Sequence, residues 1–178
     1  MSHPSRSKPG ILLLAPVTTV GQAAGAAAAG AQMVDAGRDG ALVPAIRRAV
    51  GGVRVCGEHE DADLVRDGDL AARTGAALIC PGPDAAAAAV RRGIAAGRIV
   101  VQAAASGIEP AVRAGWTVLA DLEGLDGLAR TEAAAAVCAW LGASVLRTRY
   151  VAEVRRCADM TESILGRRPP TWAVRGLA

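Results

Sequence analysis

Aromatic side chains are almost missing from this sequence: Phe is absent, and one Tyr and three Trp stand among 178 residues. A core without Phe is filled by Ala, Val, Leu and Ile, which pack small and bring helices close to a sheet. Lysine is nearly absent as well. Of twenty basic residues only Lys8 is a lysine, and the rest are Arg. The net charge is +3, and the Arg residues are scattered among Asp and Glu. No basic block is interleaved with aromatics, which argues against nucleic acid as a partner. The pairs Arg47-Arg48, Arg91-Arg92, Arg155-Arg156 and Arg167-Arg168 read as solvated helix faces.

Long hydrophobic runs are also missing, so no membrane span is expected. Met1–Gly10 is polar and contains Pro, and the Ile11–Leu14 run is too short for a signal peptide. The four cysteines, at 56, 80, 138 and 157, have no CxxC spacing. They are expected to be reduced, buried thiols of a cytoplasmic protein.

What the chain does have is alternation. Apolar runs occur at Ile11–Ala15, Gln32–Ala36, Val53–Cys56, Ala77–Cys80, Arg98–Val101, Trp116–Ala120 and Ser144–Arg147. They are short and rich in Val, Ile and Leu, without clean alternation, as strands buried on both faces are. Between them lie Ala-rich segments of helical character, at Gly21–Ala31, Ala41–Val50, Asp61–Thr74, Asp84–Ala96, Gly107–Ala114, Arg130–Leu141 and Val151–Leu165. Asp67-Gly68-Asp69 interrupts the third, and Asp84 is placed as the N-cap of the fourth. The period, roughly 20–25 residues per unit, fits a (β/α) barrel better than a doubly wound sheet.

A full barrel has eight strands, and seven runs are visible. Either one unit is missing, leaving an open seam, or an irregular segment serves as the eighth. The expected fold is therefore a TIM-like parallel barrel, incomplete or irregular, with about seven strands and outer helices. Residues 11–168 form one domain between a flexible tail at 1–10 and a C-terminal tail at 169–178. The second tail carries Trp172 and Val174 and could dock on the barrel.

In such barrels ligands sit at the C-terminal ends of the strands. The residues that follow the seven runs are Pro16, Gly37, Gly57, Pro81, Gln102, Asp121 and Thr148. Most of them carry no chemistry, so the active face looks nearly empty.

Two segments resemble the dihydropteroate synthase family. One runs from Arg130–Ala136 through Gly142-Ala143-Ser144-Val145-Leu146-Arg147-Thr148-Arg149-Tyr150-Val151 to Ala158-Asp159-Met160-Thr161. It is similar to the family's last helix-strand-helix unit, with its "GA-x-x-x-R-V-H-D-V" pattern. The other, Ala26–Gly37, is similar to the second strand, "GA-D-I-I-D-V-G-G". The resemblance implies a (β/α)8 barrel that joins a pterin pyrophosphate to p-aminobenzoate in folate synthesis, usually as a homodimer.

The family's polar strand ends are largely replaced. The first strand's Asn is missing from Leu12–Val20, and Cys56-Gly57 stands where a pterin-binding Asp is expected. Ile79-Cys80-Pro81 and Val101–Ala104 replace two further polar motifs, and no lysine follows the seventh strand. Asp35 and Arg147 survive, whereas the His of the last motif does not. Each lost partner leaves a polar edge of the pterin unpaired, at about 1–3 kcal/mol. The chain is thus read as a shortened, degenerate relative without catalytic residues or cofactors. Its expected role is binding or regulation linked to folate or pterin metabolism, alone as a homodimer or with a related barrel enzyme. The alternative is an active transferase, on pterin pyrophosphate and p-aminobenzoate or another phosphorylated substrate, with a rebuilt site.

Asp35, Arg147 and Arg149 are the candidate residues for an anionic, pterin-like ligand. Asp35 and Asp39 flank Gly37-Arg38, either as a ligand loop or as a solvated turn with Asp as helix cap. Arg147 and Arg149 are expected to diverge, one of them facing the mouth, where it binds an anion or pairs with Asp121 or Glu123. Cys56, Cys80 and His59 are weak candidates for zinc, set against buried thiols and an exposed helix start at Glu58-His59-Glu60-Asp61. Gly21–Gly25 lacks both phosphate-loop signatures and reads as helix packing.

Overall fold

The computed structural model describes residues 10–167. The strands are β1 (Leu12–Pro16), β2 (Met33–Asp35), β3 (Arg54–Cys56), β4 (Leu64–Val65), β5 (Ala77–Cys80), β6 (Ile99–Gln102), β7 (Thr117–Asp121) and β8 (Val145–Arg147). They form a closed parallel barrel in sequence order. Closure is made by β1 against β8, with Leu12, Leu13 and Leu14 opposite Val145, Leu146 and Arg147.

The helices are α1 (Val20–Ala28), α2 (Leu42–Ala49), α3 (Gly68–Thr74), α4 (Pro83–Arg91), α5 (Ala105–Arg113), α6 (Leu128–Leu141) and α7 (Val151–Ile164). Two of them, α1 and α3, begin at a side-chain cap that satisfies a free N–H group. Thr19 Oγ1 accepts from Gln22 N at 3.1 Å, and an Asp67 carboxylate oxygen accepts from Leu70 N at 2.7 Å. Asp84 is not the N-cap of α4. Gly82 holds that position, Pro83 opens the helix and Asp84 lies in its first turn.

The expected barrel class stands, and the barrel is complete. The irregular segment supplies the eighth strand, so there is no open seam. Asp61–Thr74 is not one helix: it contains β4 and then the capped α3. Glu58–Asp61 is likewise not a helix start but part of a turn-rich connection from β3 to β4. No helix intervenes there. Gly57 N donates to Leu64 O at 3.0 Å and Ala77 N to Asp63 O at 2.9 Å, which ties the short strand in on both sides. The tails expected at 1–10 and 169–178, with Trp172 and Val174, lie outside the described residues except for Gly10.

Strand alternation divides the core in two. Leu14, Met33, Cys56, Leu64, Ile79, Val100, Leu119 and Val145 fill the barrel interior. Leu13, Val34, Val55, Val65, Leu78, Val101, Val118 and Leu146 point outward into the layer under the helices. Small residues make that layer thin. Ala23, Ala71, Ala86, Ala89, Ala135, Ala139 and Ala158 are wholly buried where helices meet the sheet.

Candidate functional site

The even strands place the site. β2, β6 and β8 contribute Met33, Val100 and Val145 to the interior, and two residues later carry Asp35, Gln102 and Arg147. Leu64 of β4 is followed at the same interval by Arg66. Positions two apart on a strand share a face, so this layer turns from apolar to polar at the mouth. Together with Asp121 of β7 and Glu58, Gly37, Arg38 and Asp67 from the loops, it lines a cleft of about 630 Å³. The mouth is therefore not empty, contrary to the sequence expectation. The strand-following positions miss the inward-facing residues on β2 and β8, and Arg66 lies in a segment read as helix.

Asp35 is the centre of the cleft. Its side chain is 1% exposed. Arg66 approaches it in bidentate fashion, Nη2 to Oδ2 at 2.8 Å and Nη1 to Oδ1 at 3.2 Å. Arg147 Nε donates to Oδ2 at 2.9 Å, and Gly37 N donates to Oδ1 at 3.0 Å. A carboxylate has about four acceptor positions, and all are used. Burial alone raises the Asp35 pKa, but the hydrogen bonds and charge of Arg66, the Arg147 bond and the Gly37 N–H outweigh it. The carboxyl is held below its usual range. Burial also opposes the charge on Arg66 and Arg147, and Asp35 nevertheless keeps both guanidinium groups above their ordinary pKa.

Arg147 continues the network. Its Nη1 donates to both oxygens of Asp121, at 3.2 and 3.3 Å. Arg149 stands apart. The expected divergence from Arg147 cannot come from strand alternation, which puts positions two apart on one face; it comes from β8 ending at Arg147 and the backbone bending at Arg149. Arg149 N donates to Glu123 Oε1 at 2.6 Å, and its Nη2 to Glu123 O at 2.8 Å. The guanidinium also lies 5.7 Å from the centre of the Tyr150 ring. Each arginine of the last motif thus has its own acid from the β7 end, Asp121 for Arg147 and Glu123 for Arg149.

Asp39 does not cap α2. Its Oδ1 accepts from Ala41 N at 3.0 Å in a tight turn before the helix. Gln102 and Arg38 line the cleft without a side-chain hydrogen bond or ion pair among the described residues.

The proposed zinc ligands are not brought together. Cys56 lies inside the barrel, its sulfur 3.4 Å from Arg66 Nη1. Cys80 faces the outer layer, with β4 between its strand and that of Cys56. His59 Nδ1 accepts from Asp61 N at 3.1 Å. No group of three His, Cys, Asp or Glu poised for a metal occurs among the described residues. Burial, and then the Asp35 charge, push the Cys56 thiol up to about 12. Burial raises the thiols of Cys80, Cys138 and Cys157 as well.

Comparison with known proteins finds partial sequence matches and a shared fold. No family model matches the chain. The inactive dihydropteroate synthase 2 of Mycobacterium leprae is 39% identical over 83 residues, covering 40% of this chain and 28% of that protein. Its Mycobacterium tuberculosis namesake is 43% identical over 79 residues, covering 38% and 25%. The match thus spans about a quarter of the length of these curated relatives. Among solved structures, Rv1207 of M. tuberculosis superposes with a TM-score of 0.76 at 27% identity, over 91% of this chain and 94% of that one. The dihydropteroate synthase of Yersinia pestis superposes at 0.75 with 14% identity, over 89% and 95%, which shows a shared fold. Among the described residues no helix is long and apolar enough to cross a membrane. The chain is thus similar to the dihydropteroate synthases, in the barrel as a whole and in sequence over about two fifths of its length.

Proposed function

We propose that this protein is a non-catalytic dihydropteroate synthase-like barrel of the cytoplasm, with a binding or regulatory role in folate or pterin metabolism. One observation carries the reading: Asp35, retained from the family's second strand, already has four hydrogen bonds from within the protein. A polar ligand edge that took one of them would have to displace a guanidinium from a buried carboxylate. Arg147, retained from the family's last strand, is engaged in the same way between Asp35 and Asp121. The residues that would receive pterin and pyrophosphate hold one another instead. Arg149 is pinned to Glu123 and adds no free cation.

A second reading has one observation in its favour. The cleft of about 630 Å³ stays open above the ion pairs and lies in the size range of ligand sites. A transferase with a rebuilt site would use that volume, with Asp35, Arg147 and Arg149 released on substrate binding.

Complementation separates the two. In a strain lacking dihydropteroate synthase, the expected result is no growth without added folate end products. Growth would overturn the proposal. A thermal-shift series with pterin pyrophosphate, p-aminobenzoate and inorganic phosphate runs beside it. Inorganic phosphate is expected to leave the melting temperature unchanged, because Arg66 and Arg147 are already paired.

A further inference from the structure

A second cleft lies at the end of the barrel opposite the mouth, where β1, β7 and β8 begin and α6 and α7 end. Its volume is about 280 Å³. Glu162, in the last turn of α7, lines it and is only 6% exposed. Its Oε1 accepts from Ile11 N at 3.2 Å. Its Oε2 meets no donor among the described residues. Burying a carboxylate with half of its acceptor capacity unused is costly, and folded proteins rarely keep such a group without a partner. Gly10 keeps the approach to that oxygen clear. A Cβ there would stand 3.2 Å from Oε2 and crowd it.

Arg167 lines the same cleft. Gly166, at a φ of +66°, turns the chain so that Arg167 N donates to Glu162 O at 2.9 Å. The guanidinium does not follow. Its Nη1 donates to Ala139 O of α6 at 3.3 Å, and it makes no ion pair with Glu162. Opposite charges thus line one cleft without neutralising each other. Ile11, Leu12 and Val145 supply aliphatic wall beside them.

We propose that this cleft binds a small zwitterion of the α-amino acid type, its ammonium group on Glu162 Oε2 and its carboxylate on Arg167. A buried carboxylate oxygen without a donor calls for a cation that brings N–H groups. The negative ends of α6 and α7 meet at the same place and favour positive charge. A bare metal ion does not fit: Ca²⁺ and Mg²⁺ take about six or more oxygen ligands, and Arg167 would repel them. An amine alone would leave the Arg167 donors unused, whereas an amino acid answers both charges at once. The size agrees as well. A water takes about 30 Å³ of liquid, so the cleft admits roughly nine heavy atoms, which suits a molecule like L-valine. The proposal is independent of whether the mouth is catalytically silent, since the two clefts lie at opposite ends of the barrel.

Thermal-shift and amide NMR titrations of the full chain with L-valine, over about 0.1 to 50 mM, test it. The melting temperature should rise, and the amide signals of Gly142, Ala143 and Ser144 should move. Isovalerate, which lacks the ammonium group, should produce neither change. Glu162→Gln keeps an acceptor for Ile11 N but loses the charge, and should weaken binding by at least about tenfold. Arg167→Met should weaken it too. Gly10→Ala should do the same by crowding Oε2, and should Glu162→Gln fail to fold, Gly10→Ala and isovalerate decide. A wild type that does not respond to L-valine overturns the proposal. So does binding that survives Glu162→Gln, or an equal response to isovalerate. Binding that appears only in Lys8→Met also overturns it, because the ammonium of the one lysine in the chain would then be the occupant.

Discussion

Arg66 holds Asp35 by both of its terminal nitrogens, at 2.8 and 3.2 Å, although the two residues stand 31 positions apart. This pairing depends on β4. A strand of two residues, Leu64 and Val65, carries Arg66 to the barrel mouth opposite the end of β2. Leu64 fills the interior below it, and Val65 seals the outer layer. The shortest strand of the barrel therefore has both a structural and an electrostatic function.

Arg147→Ala should cost stability with or without ligand. The guanidinium is 20% exposed and lies between Asp35 and Asp121. Its removal leaves Asp35 buried with one cationic partner, at an expected cost of about 2–4 kcal/mol. Arg66 is 37% exposed, and solvent screening reduces the cost of Arg66→Ala to about 1–3 kcal/mol. Urea denaturation of both variants and of the double variant measures these costs and their coupling. Two costs near zero would mean that the network is decorative.

Acid should unfold the protein partly through Asp35. Its folded pKa is lowered, so its contribution is fully present above the unfolded carboxylate value of about 3.9 and is lost as pH falls through the lower folded value. Asp35→Asn should flatten the acid limb of the stability profile below pH about 4. An unchanged limb would show that other carboxylates dominate it.

Gly57→Ala should destabilise the connection that replaces a helix between β3 and β4. A Cβ there would stand 2.7 Å from Val43 Cγ2 of α2, and Gly57 is buried. Overpacking of this kind costs about 1–3 kcal/mol. Val43→Ala in the same chain should recover part of the loss, which calorimetry of the single and double variants would detect.

Cys56 should resist alkylation in the native protein. It is fully buried inside the barrel, and its pKa of about 12 leaves almost no thiolate at pH 8. Mass spectrometry after iodoacetamide treatment should find it modified only under denaturing conditions. Fast native labelling would mean that the mouth opens to the interior.

Seven of the eight strands were legible because each is an apolar run long enough to stand out, such as Ile99–Gln102 or Thr117–Asp121. β4 was not, because Leu64-Val65 lies between Asp63 and Arg66 and carries no periodicity of its own. Arg66 was lost with it, and with Arg66 the bidentate partner of Asp35. The resemblance singled out Asp35 and Arg147, but their direct contact spans 112 positions and depends on where the closed barrel brings β2 and β8. Cys56 and Cys80 looked equivalent at two run ends. Only the parity of each strand separates an inward thiol from an outward one.

The central claim is that the mouth is satisfied by its own ion pairs and does not carry out the family's reaction. The direct measurement is product formation by the purified full chain, given pterin pyrophosphate, p-aminobenzoate and magnesium. The account predicts no dihydropteroate above the protein-free control. Turnover that disappears in Asp35→Asn would contradict it, because Asp35 would then be receiving substrate in place of Arg66 and Arg147.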